Sequence, residues 1–346
     1  MIKTFKSNLM VKVASLKNPS QRAELETIAK QIILGDRRAL ARAITLVESA
    51  RPDQQNQTAE LLQLLQYKTG NALRIGFSGA PGVGKSTLIE ALGLHVSDLG
   101  LKVAVLAVDP SSTRSGGSIL GDKTRMERLA RQPTAFIRPS PAGATLGGVA
   151  RRTREAMLIL EAAGYDVVLV ETVGVGQNET TVANMVDMFA LILAPGGGDE
   201  LQGIKRGIME LADVVIVNKA DGELEKVAQG AVADFRAALG LLRPKYTCWI
   251  PQIKLVSALE ERGIPDVWEC ATIFKKTIRE SGDLRRLRAE QAKAWMWDEI
   301  RQDLVENLLS HVSMADLTSQ LESQVLEGTL SPKQAARRIL ARYREA

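Results

Sequence analysis

The stretch 73–78, Leu-Arg-Ile-Gly-Phe-Ser, is a short apolar run that opens directly onto Gly79-Ala80-Pro81-Gly82-Val83-Gly84-Lys85-Ser86, and a helical texture begins at Thr87. A strand, a glycine loop and a helix in that order constrain the fold tightly. The glycines permit the backbone to wrap so that its N–H groups converge on a phosphate at the helix N-terminus. Lys85 is placed to reach β- and γ-phosphates, and the Ser86 hydroxyl to ligate magnesium. Residues 79–87, Thr87 included, are therefore the expected phosphate-binding set. A dinucleotide-binding loop needs a different glycine spacing and has no use for the Lys-Ser pair.

Further short apolar runs lie at 103–108, 167–170, 189–193, 214–217 and 253–256, each followed by a polar or glycine-rich loop and a helical stretch. Continuous rather than alternating apolar residues mean strands covered on both faces. The predicted fold class is α/β: a P-loop NTPase whose mostly parallel central sheet is flanked by helices, with helical extensions at both ends. The expected organisation is an N-terminal extension over 1–70, a nucleotide-binding domain over 71–280 and a C-terminal helical region over 281–346. In the first, Leu40, Ile44 and Val47 have helical spacing, while 52–57 reads as a connection. In the last, Leu304, Leu308, Leu309 and Val312 share a helical face, and Ser331-Pro332 reads as a helix start. No internal repeat or low-complexity tract is visible.

Such sheets place ligands at the carboxyl ends of their strands, and several chemically apt residues fall there. Asp109 ends the second run and Asp122 follows a glycine-rich segment; each reads as a magnesium ligand, directly or through water, with a turn cap as the plain alternative for Asp109. Glu171 ends the 167–170 run where many GTPases carry Asp, and Gly174 can bring its N–H to a terminal phosphate. Lys85, Asp109 and Glu171 are the candidate catalytic residues; Ser86, Asp109, Asp122 and Glu171 are the candidate metal ligands. Gln177 reads either as a water-orienting amide or as an exposed one.

The run 214–217 delivers Asn218-Lys219-Ala220-Asp221. Guanine presents two donors on one edge, and the Asp221 carboxylate can accept both, which adenine cannot satisfy. Asn218 can bridge base and phosphate loop, and the Lys219 stem can pack over the ring. Ser257-Ala258-Leu259 follows the last run, where backbone N–H groups can meet the guanine O6. The loop 194–207, carrying Asp199, Glu200, Gln202, Lys205 and Arg206, reads as a nucleotide-sensing or partner-contacting segment, or as a solvated loop. His95 and His311 are isolated and read as structural.

A net charge of +5 spread over 346 residues, with 4% aromatics, does not make a nucleic-acid surface. Cys248 and Cys270 lack CxxC spacing and fit a reducing compartment. No apolar run is long enough to span a bilayer, so the expectation is a cytoplasmic chain with neither a membrane nor a nucleic-acid partner. The first twenty-three residues are basic and lack acids, faintly like a transit segment.

Taken together, GFSGAPGVGKST, VAVLAVDPSS, GGSILGDKTRM, AGYDVVLVETVGVGQ, GGGDELQGIKRGI, NKADG and SALEERGI resemble the MeaB/ArgK family of G proteins, bacterial relatives of the human methylmalonic aciduria type A protein. The resemblance runs from about residue 30 to 280. It implies a GTPase chaperone, binding GTP or GDP with Mg2+, that gates cofactor loading and protection of an adenosylcobalamin-dependent acyl-CoA mutase, usually methylmalonyl-CoA mutase, with an adenosyltransferase as a further partner. It also implies a homodimer formed through C-terminal helices, a magnesium site at Asp109, Asp122 and Glu171, and a switch at the 196–207 loop. No arginine finger stands out, so hydrolysis is expected to be slow alone and faster with the partner. The alternatives are a P-loop kinase or transport-associated ATPase, matching the family's older label as an arginine/ornithine transport kinase or ATPase, and a partition-type or nucleic-acid-associated P-loop ATPase.

Overall fold

The computed structural model describes residues 19–49, 51–108, 126–139, 146–172, 179–195, 206–240 and 244–345. Among the described residues seven strands form one sheet: β1 Leu73–Ser78, β2 Val103–Val108, β3 Ala135–Arg138, β4 Val167–Thr172, β5 Met188–Leu193, β6 Val214–Val217 and β7 Gln252–Leu255. Their order is β3-β2-β4-β1-β5-β6-β7, and every pairing is parallel. Strands β1, β4, β5 and β6 are buried along their whole length, the consequence of apolar residues on both faces.

Strand β3 is absent from the expectation. It is an edge strand of four residues following Pro133, and only Ala135 is fully buried, so Ala-Phe-Ile-Arg lacks the apolar continuity that marks the central strands. Its edge is covered. Arg37 donates to the carbonyls of Pro133 and Ala135, both at 2.9 Å, and Arg138 forms an ion pair with Glu48. Both partners belong to the N-terminal helical layer. There the helix Arg37–Val47 is capped by Asp36, whose carboxylate accepts from Arg38 and Ala39 N–H and is held below its ordinary pKa by those bonds. Leu40, Ile44 and Val47 are buried, as their spacing demands. Residues 52–57 are not a connection: Pro52 occupies the first turn of a helix running to Leu65, a position where its missing N–H is harmless.

One polar device recurs at the amino ends of the strands. An aspartate immediately precedes β4, β5 and β6, and each carboxylate accepts the N–H at the start of a neighbouring strand. Asp166 takes Lys102 at 2.9 Å, Asp187 takes Arg74 at 2.9 Å and Asp213 takes Phe189 at 2.8 Å. A buried N–H needs a partner, and Asp187 and Asp213 supply one inside the protein where the ladder begins, whereas the Asp166 bond is exposed.

The chain divides into two compact units, with the boundary between Arg288 and Ala289. The first holds the N-terminal helices together with the sheet and its flanking helices. The second comprises the rest of the helix Asp283–Ser310 and the helices Val312–Leu326 and Pro332–Glu345, the last two packed through Leu321, Leu330 and Ala335. Ser331 accepts from Gln334 N–H at the start of the last helix.

Candidate nucleotide site

Strand order reverses around β1, and the loop leaving β1 lies at the carboxyl edge, the place where open parallel sheets bind ligands. Gly82 and Gly84 have φ of 83° and 89°, left-handed backbone suited to glycine. At Gly79 an added Cβ would collide with the Ile192 carbonyl on β5, and at Gly84 it would stand 2.5 Å from Asn218 Nδ2. Gly84 is also the N-cap of the helix Lys85–Asp98, so the helix begins where the loop closes. Ala80 and Pro81 complete the turn, Val83 is buried within the core, and Thr87 sits in the first helical turn.

Lys85 lies under the loop, its ammonium donating to the carbonyls of Gly79 at 2.8 Å and Ala80 at 3.1 Å. Burial lowers its pKa, opposed by the charges of Glu171 and Glu179. Ser86 Oγ donates to Glu171 Oε1 at 2.7 Å, bringing together a hydroxyl from the helix and a carboxylate from β4. Thr172 donates to Phe77 O at 3.2 Å and lies 3.3 Å from Ser78 Oγ, binding the end of β4 to the end of β1.

On the other side of the loop, Asn218 is buried just beyond β6. Its Nδ2 donates to Val83 O at 2.8 Å and its Oδ1 accepts from Ala258 N–H at 3.0 Å. One amide thus joins the phosphate loop to the segment after β7. Ser257 Oγ donates to the Asp221 carboxylate and accepts from Glu260 N–H. Lys219 carries a left-handed φ of 59°, and Leu259 is exposed.

Asn218, Lys219, Asp221, Ser257, Ala258 and Leu259 therefore gather beside the loop 79–86, and Glu171 stands at its opening. Asp109, Asp122, Gly174, Gln177, Asp199, Glu200, Gln202 and Lys205 lie outside the described residues; Arg206 begins the short helix Arg206–Met209. Two residues near the site escaped the sequence reading. Glu179, buried at the start of the helix Glu179–Ala183, acts on Lys85 through its charge, and Arg262 contacts the Asn218–Asp221 turn. Glu179 lies two positions beyond Gln177 in a polar tract, which offers no periodicity to read. Among the described residues no cluster of three or more His, Cys, Asp or Glu is poised to hold a metal ion, and no helix is long and apolar enough to cross a membrane.

The family model described as "Methylmalonyl Co-A mutase-associated GTPase MeaB" matches residues 40–313. The chain belongs to the MeaB family. A protein of Mycobacterium tuberculosis named "Probable GTPase" is 51% identical over 316 residues, 91% of this chain and 94% of that protein. "GTPase ArgK" of Escherichia coli K12 is 46% identical over 317 residues, covering 92% and 96%. The mouse "Methylmalonic aciduria type A homolog, mitochondrial" is 46% identical over 323 residues, covering 90% and 78%. Among solved structures, that of an LAO/AO transport system kinase is similar at a TM-score of 0.71 and 39% identity, covering 96% of this MeaB-family chain and all of that one.

Proposed function

We propose that this MeaB-family chain is a GTP-hydrolysing switch that gates adenosylcobalamin loading and protection of methylmalonyl-CoA mutase or a related acyl-CoA mutase. The observation that carries the GTPase reading is the Asn218 bridge: it joins a phosphate-binding loop to the Asp221 and Ser257–Leu259 segments that suit guanine. The mutase reading rests on family membership.

In this reading the backbone N–H groups of 79–87, Pro81 excepted, bind the phosphates, and Lys85 moves from the Gly79 and Ala80 carbonyls to β- and γ-oxygens. Asp221 accepts N1–H and the 2-amino group of guanine, the Lys219 stem covers the ring, and the Leu259 N–H faces O6 beside Ala258, whose own N–H donates to Asn218 Oδ1. Ser86 and Glu171 form a pair of hard oxygen donors of the kind Mg2+ takes when it is also bound to phosphates and water; Asp109 and Asp122 complete the set. A magnesium ion held by these oxygens would supply charge neutralisation at the phosphates. Gly174 and the loop bearing Asp199, Glu200, Gln202, Lys205 and Arg206 sense the γ-phosphate and pass its presence to the partner. The working form is a cytoplasmic homodimer, with an adenosyltransferase as a second partner.

Hydrolysis is measured on the purified chain with GTP or ATP, alone and with the mutase, with Lys85→Ala as control. Slow release of free phosphate from GTP, accelerated by the mutase and lost in Lys85→Ala, is the expected result. A rate indifferent to the mutase removes the switch. Phosphate appearing on a small-molecule or protein acceptor instead favours a kinase, the activity for which the similar solved protein is named.

A further inference from the structure

Among the described residues, two that are not glycine adopt left-handed backbone: Lys219 at φ 59° and Glu261 at φ 58°. Such conformations persist where the surroundings over-determine them, and they gather at ligand sites. Lys219 stands immediately before Ala220 and Glu261 immediately before Arg262, and Arg262 joins the two turns. Its Nη2 donates to the Ala220 carbonyl at 3.0 Å, while its backbone N–H and C=O exchange hydrogen bonds with Ser257 at 3.0 and 3.1 Å.

The Ala220 N–H already donates to Val256 O at 3.0 Å. Arg262 therefore holds the carbonyl end of the residue that separates strained Lys219 from Asp221. Through its backbone it also holds Ser257, whose hydroxyl donates to the Asp221 carboxylate. The guanidinium is aimed by Glu260, 2.8 Å from Nε, and Glu225, 3.5 Å from Nη1. These acids keep the Arg262 charge firmly in place, Glu260 contributing most. The side chain is half exposed, and exposed ion pairs of this kind add little to global stability.

We propose that Arg262 is a positioning residue for guanine recognition, fixing the Asp221 carboxylate from both sides: from Ala220 through its side chain and from Ser257 through its backbone. The inference rests on the guanine reading of Asp221. It identifies a specificity determinant that lies outside the Asn218–Asp221 motif and touches the base through Asp221 alone.

The test compares the binding of GDP, IDP and ADP to the full chain and to its Arg262→Ala and Arg262→Lys variants, alongside thermal unfolding. IDP lacks the 2-amino group, so it reports the loss of one of the two hydrogen bonds to Asp221. Wild type should prefer GDP to IDP. Arg262→Ala should weaken GDP about tenfold and IDP much less, so that the GDP/IDP ratio collapses while the melting temperature stays near wild type. Arg262→Lys should recover part of the ratio, since one donor remains but the planar fork does not; if the alanine variant fails to fold, this variant carries the same comparison. An unchanged ratio, or equal weakening of GDP and IDP, overturns the positioning role and leaves the guanine reading intact. A wild-type protein that binds GDP, IDP and ADP alike overturns the guanine reading, and this inference with it.

Discussion

Both halves of the Asn218 amide are engaged inside the protein, with Val83 and with Ala258, and Gly84 leaves the room this needs, since a Cβ there would press on Nδ2. The residue types at 84 and 218 were readable from their motifs, but the Ala258 partner, far along the chain, was not. Asp213 shows the same limit more sharply. In sequence it is one acid before an apolar run; folded, burial pushes its carboxyl from 3.8 up to about 6 against the pull of Lys245 and the Phe189 N–H. The native state thus holds this proton more tightly than the unfolded chain does. The contribution favours folding below about pH 4 and fades as pH rises to about 6, a difference on the order of 2–3 kcal/mol. Asp213→Asn abolishes the titration, so its urea-unfolding stability should gain on wild type as pH rises from about 4 to about 6. A constant offset between the two proteins across that range would contradict the assignment.

At the scale of elements, the foot of β1 is held by charge inside the protein. Arg74 and Glu161 pair at 2.7 Å with side chains 4% and 0% exposed, and Glu161 also accepts the Gly70 N–H. Arg288, at the start of a C-terminal helix, binds Asp187 and the Ala72 carbonyl. Removing one member of a buried pair leaves an uncompensated charge. Glu161→Ala should therefore destabilise the fold by about 3–5 kcal/mol in urea unfolding, and Glu161→Gln by less, because the amide still accepts from Gly70. A loss below about 1 kcal/mol in the alanine variant would show that water reaches Arg74. The central strands were legible because burial on both faces forces continuous apolar runs. The edge strand β3 and the helix opening at Pro52 were not, since Arg37, Arg138 and the packing of the N-terminal layer, rather than local pattern, make them what they are.

At the scale of the whole molecule, Met296, Trp297, Leu304, Val305 and Leu309 of the helix Asp283–Ser310 are each about half exposed. Exposed apolar residues on this helix suit the proposed homodimer. Val305→Glu combined with Leu309→Glu should turn a dimer into a monomer in sedimentation or light scattering, with GDP affinity unchanged; a wild-type monomer would dismiss the dimer outright. The sequence alone determined the parallel sheet and the glycine loop between its first strand and the helix Lys85–Asp98, because buried strands and tight glycine turns demand particular residues at fixed local spacing. Only the tertiary structure decided the strand order, the strands' aspartate caps, the Ala258 partner of Asn218 and the clamp of Arg262 on Ala220. Those contacts join residues far apart in the chain, and their strength comes from burial and close approach, which local spacing does not encode.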